Sequence, residues 1–132
     1  MTLNEYQEKA MTTCMESSEN FSYMFLNLVG EVGEFASKVA KAIRKGNAQI
    51  GGFYDMGHSS KNDLIFDTLA HVNNFEEELM KEAGDVLWQL SGLCTIMGWS
   101  LDDVAQMNLD KLSARKEAGT IDGNGDGIIR EK

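Results

Sequence analysis

Apolar side chains recur at three- and four-residue intervals over four stretches of the chain, and that period predicts helices. Tyr6, Ala10, Met11, Cys14 and Met15 share one face of a segment from Leu3 to Ser17. A longer segment from Phe21 to Lys45 repeats Phe25, Leu28, Val29, Val32, Ala36, Val39 and Ile43. This stripe is expected to turn inward, with Gly46 closing the helix. Leu79, Ala83, Val86, Leu87, Leu90, Leu93 and Cys94 mark a third core stripe between Phe75 and Met97, stopped by Gly98. The fourth helix opens at Ser100, where S-L-D-D gives a capping-box-like start with Asp103 in place of Glu, and runs to Lys116. Between Gly46 and Asn74 the pattern breaks into glycines, polar residues and isolated aromatics, with one short helix expected within Leu64 to Val72.

The segment at 47–74 reads as an insertion, either a lid or an edge. Long Val/Ile/Thr alternations are scarce and proline is absent, so a strand-rich domain is disfavoured. The expected fold is all-α: a four-helix bundle over residues 1–119, interrupted by the insertion and followed by a Gly-rich tail at 120–132.

Composition narrows the partners. A chain of 132 residues with 42% hydrophobic positions suits one domain with one core. It carries no apolar run of membrane-spanning length and no basic-then-apolar leader at Met1, so a cytoplasmic protein without a membrane partner is expected. A formal charge of -9 argues against polymeric DNA or RNA, whose binding is driven by clustered Lys and Arg. A small anionic substrate remains compatible, provided divalent cations mediate between acids and phosphates. Cys14 and Cys94 have no CxxC spacing and read as free thiols.

The informative residues are acids inside helices. LVGEVGEFA places Glu31 and Glu34 three apart, and KEAGDVLWQL does the same for Glu82 and Asp85. At that spacing each pair projects from one side of its helix. Like charges so placed destabilise a helix by roughly 0.2–0.5 kcal/mol, and partial burial among valines and leucines costs far more. A cation between the pairs would relieve both costs, and four carboxylates form an all-oxygen set suited to Mg2+ or Mn2+. Neither pair contains a histidine, and His58 and His71 both lie in the insertion, which disfavours redox iron. The competing reading is two solvated helix faces. Gly30, Gly33 and Gly84 beside the acids cost helix propensity, and either close helix approach or room for a ligand would explain them.

E31-V-G-E34 and E82-A-G-D85 resemble the signature of the all-α MazG-like nucleotide pyrophosphohydrolases, E-x-x-E on one helix and E-x-x-D on the next. N-E-Y-Q-E-K-A near the start, G-D-V-L-W-Q-L and the downstream N-L-D-K-L add to the resemblance. The connection between Glu34 and Glu82 is longer than is usual in that family. The resemblance implies Mg2+-dependent hydrolysis of a nucleoside triphosphate to a monophosphate and pyrophosphate. Glu31, Glu34, Glu82 and Asp85 would be metal ligands, with one of them orienting water. It further implies a homo-oligomer, dimer or tetramer, with Asn108 and Lys111 as substrate contacts. Arg115 shares their helix face and is either a third contact or part of a solvated basic face. Lys38 is either a phosphate contact or an i,i+4 partner of Glu34, and Trp88 either stacks on a base or packs in the core. A non-catalytic metal- or nucleotide-binding regulator on the same scaffold is the competing function.

The tail places Asp122, Asn124 and Asp126 at alternate positions before Gly127, as an EF-hand loop begins, but the chain stops before the twelfth position. G123-N-G-D126 instead resembles the Gly-rich end of short MazG-like proteins; a flap bringing backbone N–H groups and Arg130 to the triphosphate is the expected role, with a disordered end as the alternative.

Overall fold

The computed structural model describes residues 1–51, 62–66 and 74–122. Its elements are helices α1 (Leu3–Met11), α2 (Phe21–Arg44), α3 (Phe75–Ile96) and α4 (Leu101–Glu117), with strands β1 (Ala48–Ile50) and β2 (Leu64–Phe66) between α2 and α3. The all-α expectation holds, with one small antiparallel ribbon added, in which Ala48 faces Phe66 and Ile50 faces Leu64. The helix expected within Leu64 to Val72 is corrected at its first three residues, which form β2; residues 67–73 lie outside those described. Leu-Ile-Phe is β-branched and aromatic enough to pair with β1, and Phe66 stacks edge-on against Phe75 at 5.3 Å, tying the ribbon to the start of α3. His58, His71 and the tail beyond Asp122 also fall outside the described residues.

Local chemistry sets the helix ends. Thr2 and Glu5 form a reciprocal capping box at α1, a T-x-x-E signal plain in the sequence. The helix stops at Met11, short of the expected Ser17, because the Thr12 and Thr13 hydroxyls turn back to the carbonyls of Lys9 and Ala10. Gly46 and Gly98 adopt the left-handed conformation just past α2 and α3, and the next N–H groups, of Asn47 and Trp99, bond back to the carbonyls of Ala42 and Cys94. The Ser100 hydroxyl caps α4 by accepting the Asp103 N–H at 3.1 Å.

Helices α2 and α3 pack antiparallel: Met24 lies against Gly92, Asn27 bonds Gln89, and Lys38 reaches Glu78 and Glu82. Buried Gln7 fastens α1 to the α3–α4 junction, donating to Thr95 Oγ1 and the Trp99 carbonyl while accepting the Leu101 N–H. The α4 helix packs chiefly on α1.

The inward stripes differ from the expected ones. On α2 the buried or half-buried positions are Met24, Asn27, Leu28, Glu31, Phe35, Lys38, Val39 and Ala42, whereas Phe25, Val29, Val32, Ala36 and Ile43 are exposed. On α3 the fully buried positions include Leu79 and Cys94 as expected, but also Glu82, Gln89, Ser91 and Gly92. Ala83, Leu87 and Leu90 are exposed. Both helices turn a polar strip toward one another, so apolar period alone misplaced their faces.

Candidate metal and phosphate site

The antiparallel pairing carries the acids of α2 to those of α3. Glu31, Glu34 and Glu82 each bring a carboxylate oxygen within 4.8 Å of the others, with Glu31 half-buried, Glu34 exposed and Glu82 buried. Asp85 is exposed and outside this tight group, yet its charge reaches both Glu31 and the Tyr6 hydroxyl on α1. Glu82 Oε1 accepts from Lys38 Nζ at 2.8 Å, while Glu82 Oε2 is buried with no hydrogen-bond partner. A buried carboxylate oxygen left bare is costly, and a hard cation shared with Glu31 and Glu34 would satisfy it. The donor set therefore fits a divalent metal on the structure's own terms.

Glu31 titrates above the ordinary glutamate range, chiefly because it is partly desolvated, then because Glu34 and Asp85 repel its charge. The Asn27 amide opposes this shift by donating to Glu31 Oε1 at 3.2 Å, and the same Nδ2 donates to Gln89 Oε1 at 2.8 Å. Gln89 is in turn held by the Met24 carbonyl and sulfur. Asn27 and Gln89 were missed in the sequence, although each stands one turn from an acid, before Glu31 and after Asp85 respectively.

A raised folded-state value means that the folded protein holds the Glu31 proton more tightly than the unfolded chain does. The corresponding stability is fully present below the ordinary glutamate value and is lost as pH rises through the raised folded one. Without metal, urea midpoints should fall across that window, and Glu31→Gln should flatten the fall. An identical pH profile in the variant would show that Glu31 is not under this strain.

Lys38 pairs with Glu82 and with Glu78, at 2.8 and 3.3 Å, rather than with Glu34. Glu78, one turn before Glu82, also binds Lys81 at 3.0 Å and is held below the usual carboxylate range by Lys81 first and Lys38 second. The Trp88 indole N–H is committed to α1, donating to the Ala10 carbonyl and Thr13 Oγ1 at 3.1 and 2.9 Å. Asn108 and Lys111 are exposed and Arg115 half-buried on α4, the helix that packs chiefly on α1 rather than on the α2–α3 pair. The single chain thus groups the acids and Lys38 and leaves the α4 residues in another layer.

Gly33 and Gly84 have no heavy atom within 4 Å of where a Cβ would stand, and Gly30 faces only Asn27 Oδ1 at 3.4 Å. They do not mark a close helix crossing. That crossing is at Gly92, while the glycines beside the acids keep open space.

The model of the MazG nucleotide pyrophosphohydrolase domain matches residues 19–120, which span both acid pairs and all of α4. The gene 37 protein of Mycobacterium phage L5 is 34% identical over 111 residues, covering 84% of this chain and 79% of that protein. No solved structure matches. With paired acids on adjoining helices and a match over most of its length, the chain belongs to the MazG nucleotide pyrophosphohydrolase domain family.

Proposed function

We propose that the protein is a Mg2+-dependent pyrophosphohydrolase that cleaves a nucleoside triphosphate, ribo or deoxy, to the monophosphate and pyrophosphate. The observation that carries this reading is the convergence of Glu31, Glu34 and Glu82, with a buried, unpartnered oxygen on Glu82. These three residues would hold Mg2+, or Mn2+ in its place, and Asp85 would either join them or orient the attacking water. When bound, the ion neutralises phosphate charge and acidifies the water nucleophile. Asn27 fixes the orientation of Glu31, supported from behind by Gln89. Lys38 supplies a cation beside the carboxylates, and Asn108, Lys111 and Arg115 are proposed contacts for the substrate. Trp88 would contribute a ring face only, since its N–H is already engaged.

The test is incubation with Mg2+ and a panel of ribo- and deoxynucleoside triphosphates, including modified bases, with monophosphate and pyrophosphate both quantified. Release of both products supports the enzyme. Binding without turnover of any nucleotide would favour the non-catalytic regulator.

The active unit is proposed to be a homo-oligomer, dimer or tetramer. Phe21, Phe25, Leu26, Val29 and Val32 form an exposed apolar strip on α2, with Leu26 and Val29 67% and 62% exposed and the two phenylalanine rings stacked. A second copy of the chain would remove this strip from water. Sedimentation at micromolar concentration should show a dimer or larger, and Leu26→Glu with Val29→Glu should yield monomer. A monomeric parent protein would contradict the assembly.

A further inference from the structure

Lys38 holds one of the carboxylates that a metal ion would share. Its ammonium is 2.8 Å from Glu82 Oε1, the one oxygen of that buried carboxylate that has a partner. Glu82 is also one of the three residues whose oxygens converge within 4.8 Å. The lysine comes from α2, the helix that carries Glu31 and Glu34, and crosses to α3, so a single positive charge bridges the two acidic helices. Its side chain keeps 38% of its surface exposed and therefore has somewhere to go. It borders a cavity of about 240 Å³ lined by Lys41, Lys45, Ala42, Phe75 and Glu78. Glu78 is already its second partner at 3.3 Å, on the side of that cavity.

We propose that Lys38 is an exchangeable internal counter-ion: it neutralises Glu82 in the metal-free protein, and metal binding moves its ammonium off Glu82 toward Glu78 and the Lys41–Lys45 cavity. The inference rests on the proposed metal site. The physical reason is repulsion across one carboxylate. A divalent ion that meets the unpartnered Glu82 Oε2 would stand close to the ammonium held at Oε1 of the same group, and the two cations would repel strongly. The stand-in charge neutralises Glu82, one of the three clustered carboxylates, before metal arrives, and ties α2 to α3. It also makes every metal-binding event cost the rupture of an ion pair. Once displaced, the ammonium joins Lys41 and Lys45 as a cationic wall beside the carboxylates, suited to phosphate oxygens.

The experiment is titration of the full chain with Mn2+, reading free Mn2+ by electron paramagnetic resonance with no nucleotide present. Parent protein is compared with Lys38→Met, Lys38→Gln and Lys38→Arg, and circular dichroism checks helix content. Removal of the competing charge should tighten Mn2+ binding by about 3- to 10-fold in the two neutral variants, while Arg stays near the parent value. Unchanged or weaker binding in whichever neutral variant retains its helices overturns the proposal, the parent site remaining intact. Absence of Mn2+ binding by the parent protein would overturn both the counter-ion and the metal site beneath it.

Discussion

Glu34→Gln is expected to lower triphosphate turnover by about 10²-fold or more while the helical fold survives. Among the three converging carboxylates, Glu34 is the exposed one. Neutralising it leaves no buried cation without a partner, whereas Glu82→Gln would weaken the anchor of Lys38. Loss of one ligand breaks the proposed metal shell, yet it also removes a charge that repels Glu31. Activity and stability should therefore move in opposite directions: turnover and Mn2+ affinity fall, and the urea midpoint of metal-free protein holds or rises. Near-parent turnover at limiting Mg2+ would remove Glu34 from the site. Asp85→Asn makes an informative companion, because Asp85 lies outside the tight group. Loss of turnover with Mn2+ affinity kept would give Asp85 the water-orienting role, and joint loss would make it a ligand.

The second large effect is on stability. Gly92→Val should cost about 3 kcal/mol, lowering the melting temperature by roughly 10 °C. Even a Cβ at position 92 would stand 2.4 Å from the Met24 sulfur and 2.6 Å from its methyl carbon. Met24 is only 1% exposed, and its sulfur accepts from Gln89 Nε2, so the thioether cannot simply swing aside. Shortening the obstacle in Gly92→Val/Met24→Ala should recover part of the loss. Gly84→Ala provides the contrast: with open space around it, the substitution should stabilise metal-free protein by about 0.5–1 kcal/mol through helix propensity. A Gly92→Val melting temperature within about 2 °C of the parent would refute a tight α2–α3 crossing there.

The sequence by itself determined that the chain folds as helices, where three of them end, and that two of them each carry a pair of acids one turn apart. These are local properties. A 3.6-residue period, a glycine past the last turn and a serine before the first act over a few neighbouring residues. Even the early stop of α1 is local, since the Thr12 and Thr13 hydroxyls bond back one turn.

Only the tertiary structure decided which side of α2 faces α3. Apolar residues occupy more than one side of that helix, so their period offers two seats. The usual rule would choose Phe25, Val29 and Val32 as the inner face. The chain instead buries Met24 and Ala42 and turns Glu31 and Lys38 inward with them. Such a polar strip is tolerable because its groups find partners: Lys38 reaches Glu78 and Glu82 across the helix pair, and Glu31 accepts from Asn27 one turn earlier, which itself donates to Gln89 on α3. Those partners lie 40 or more residues away along the chain, or belong to a chain of hydrogen bonds that crosses between helices. No local pattern encodes that compensation, and the exposed apolar strip of α2 follows from it.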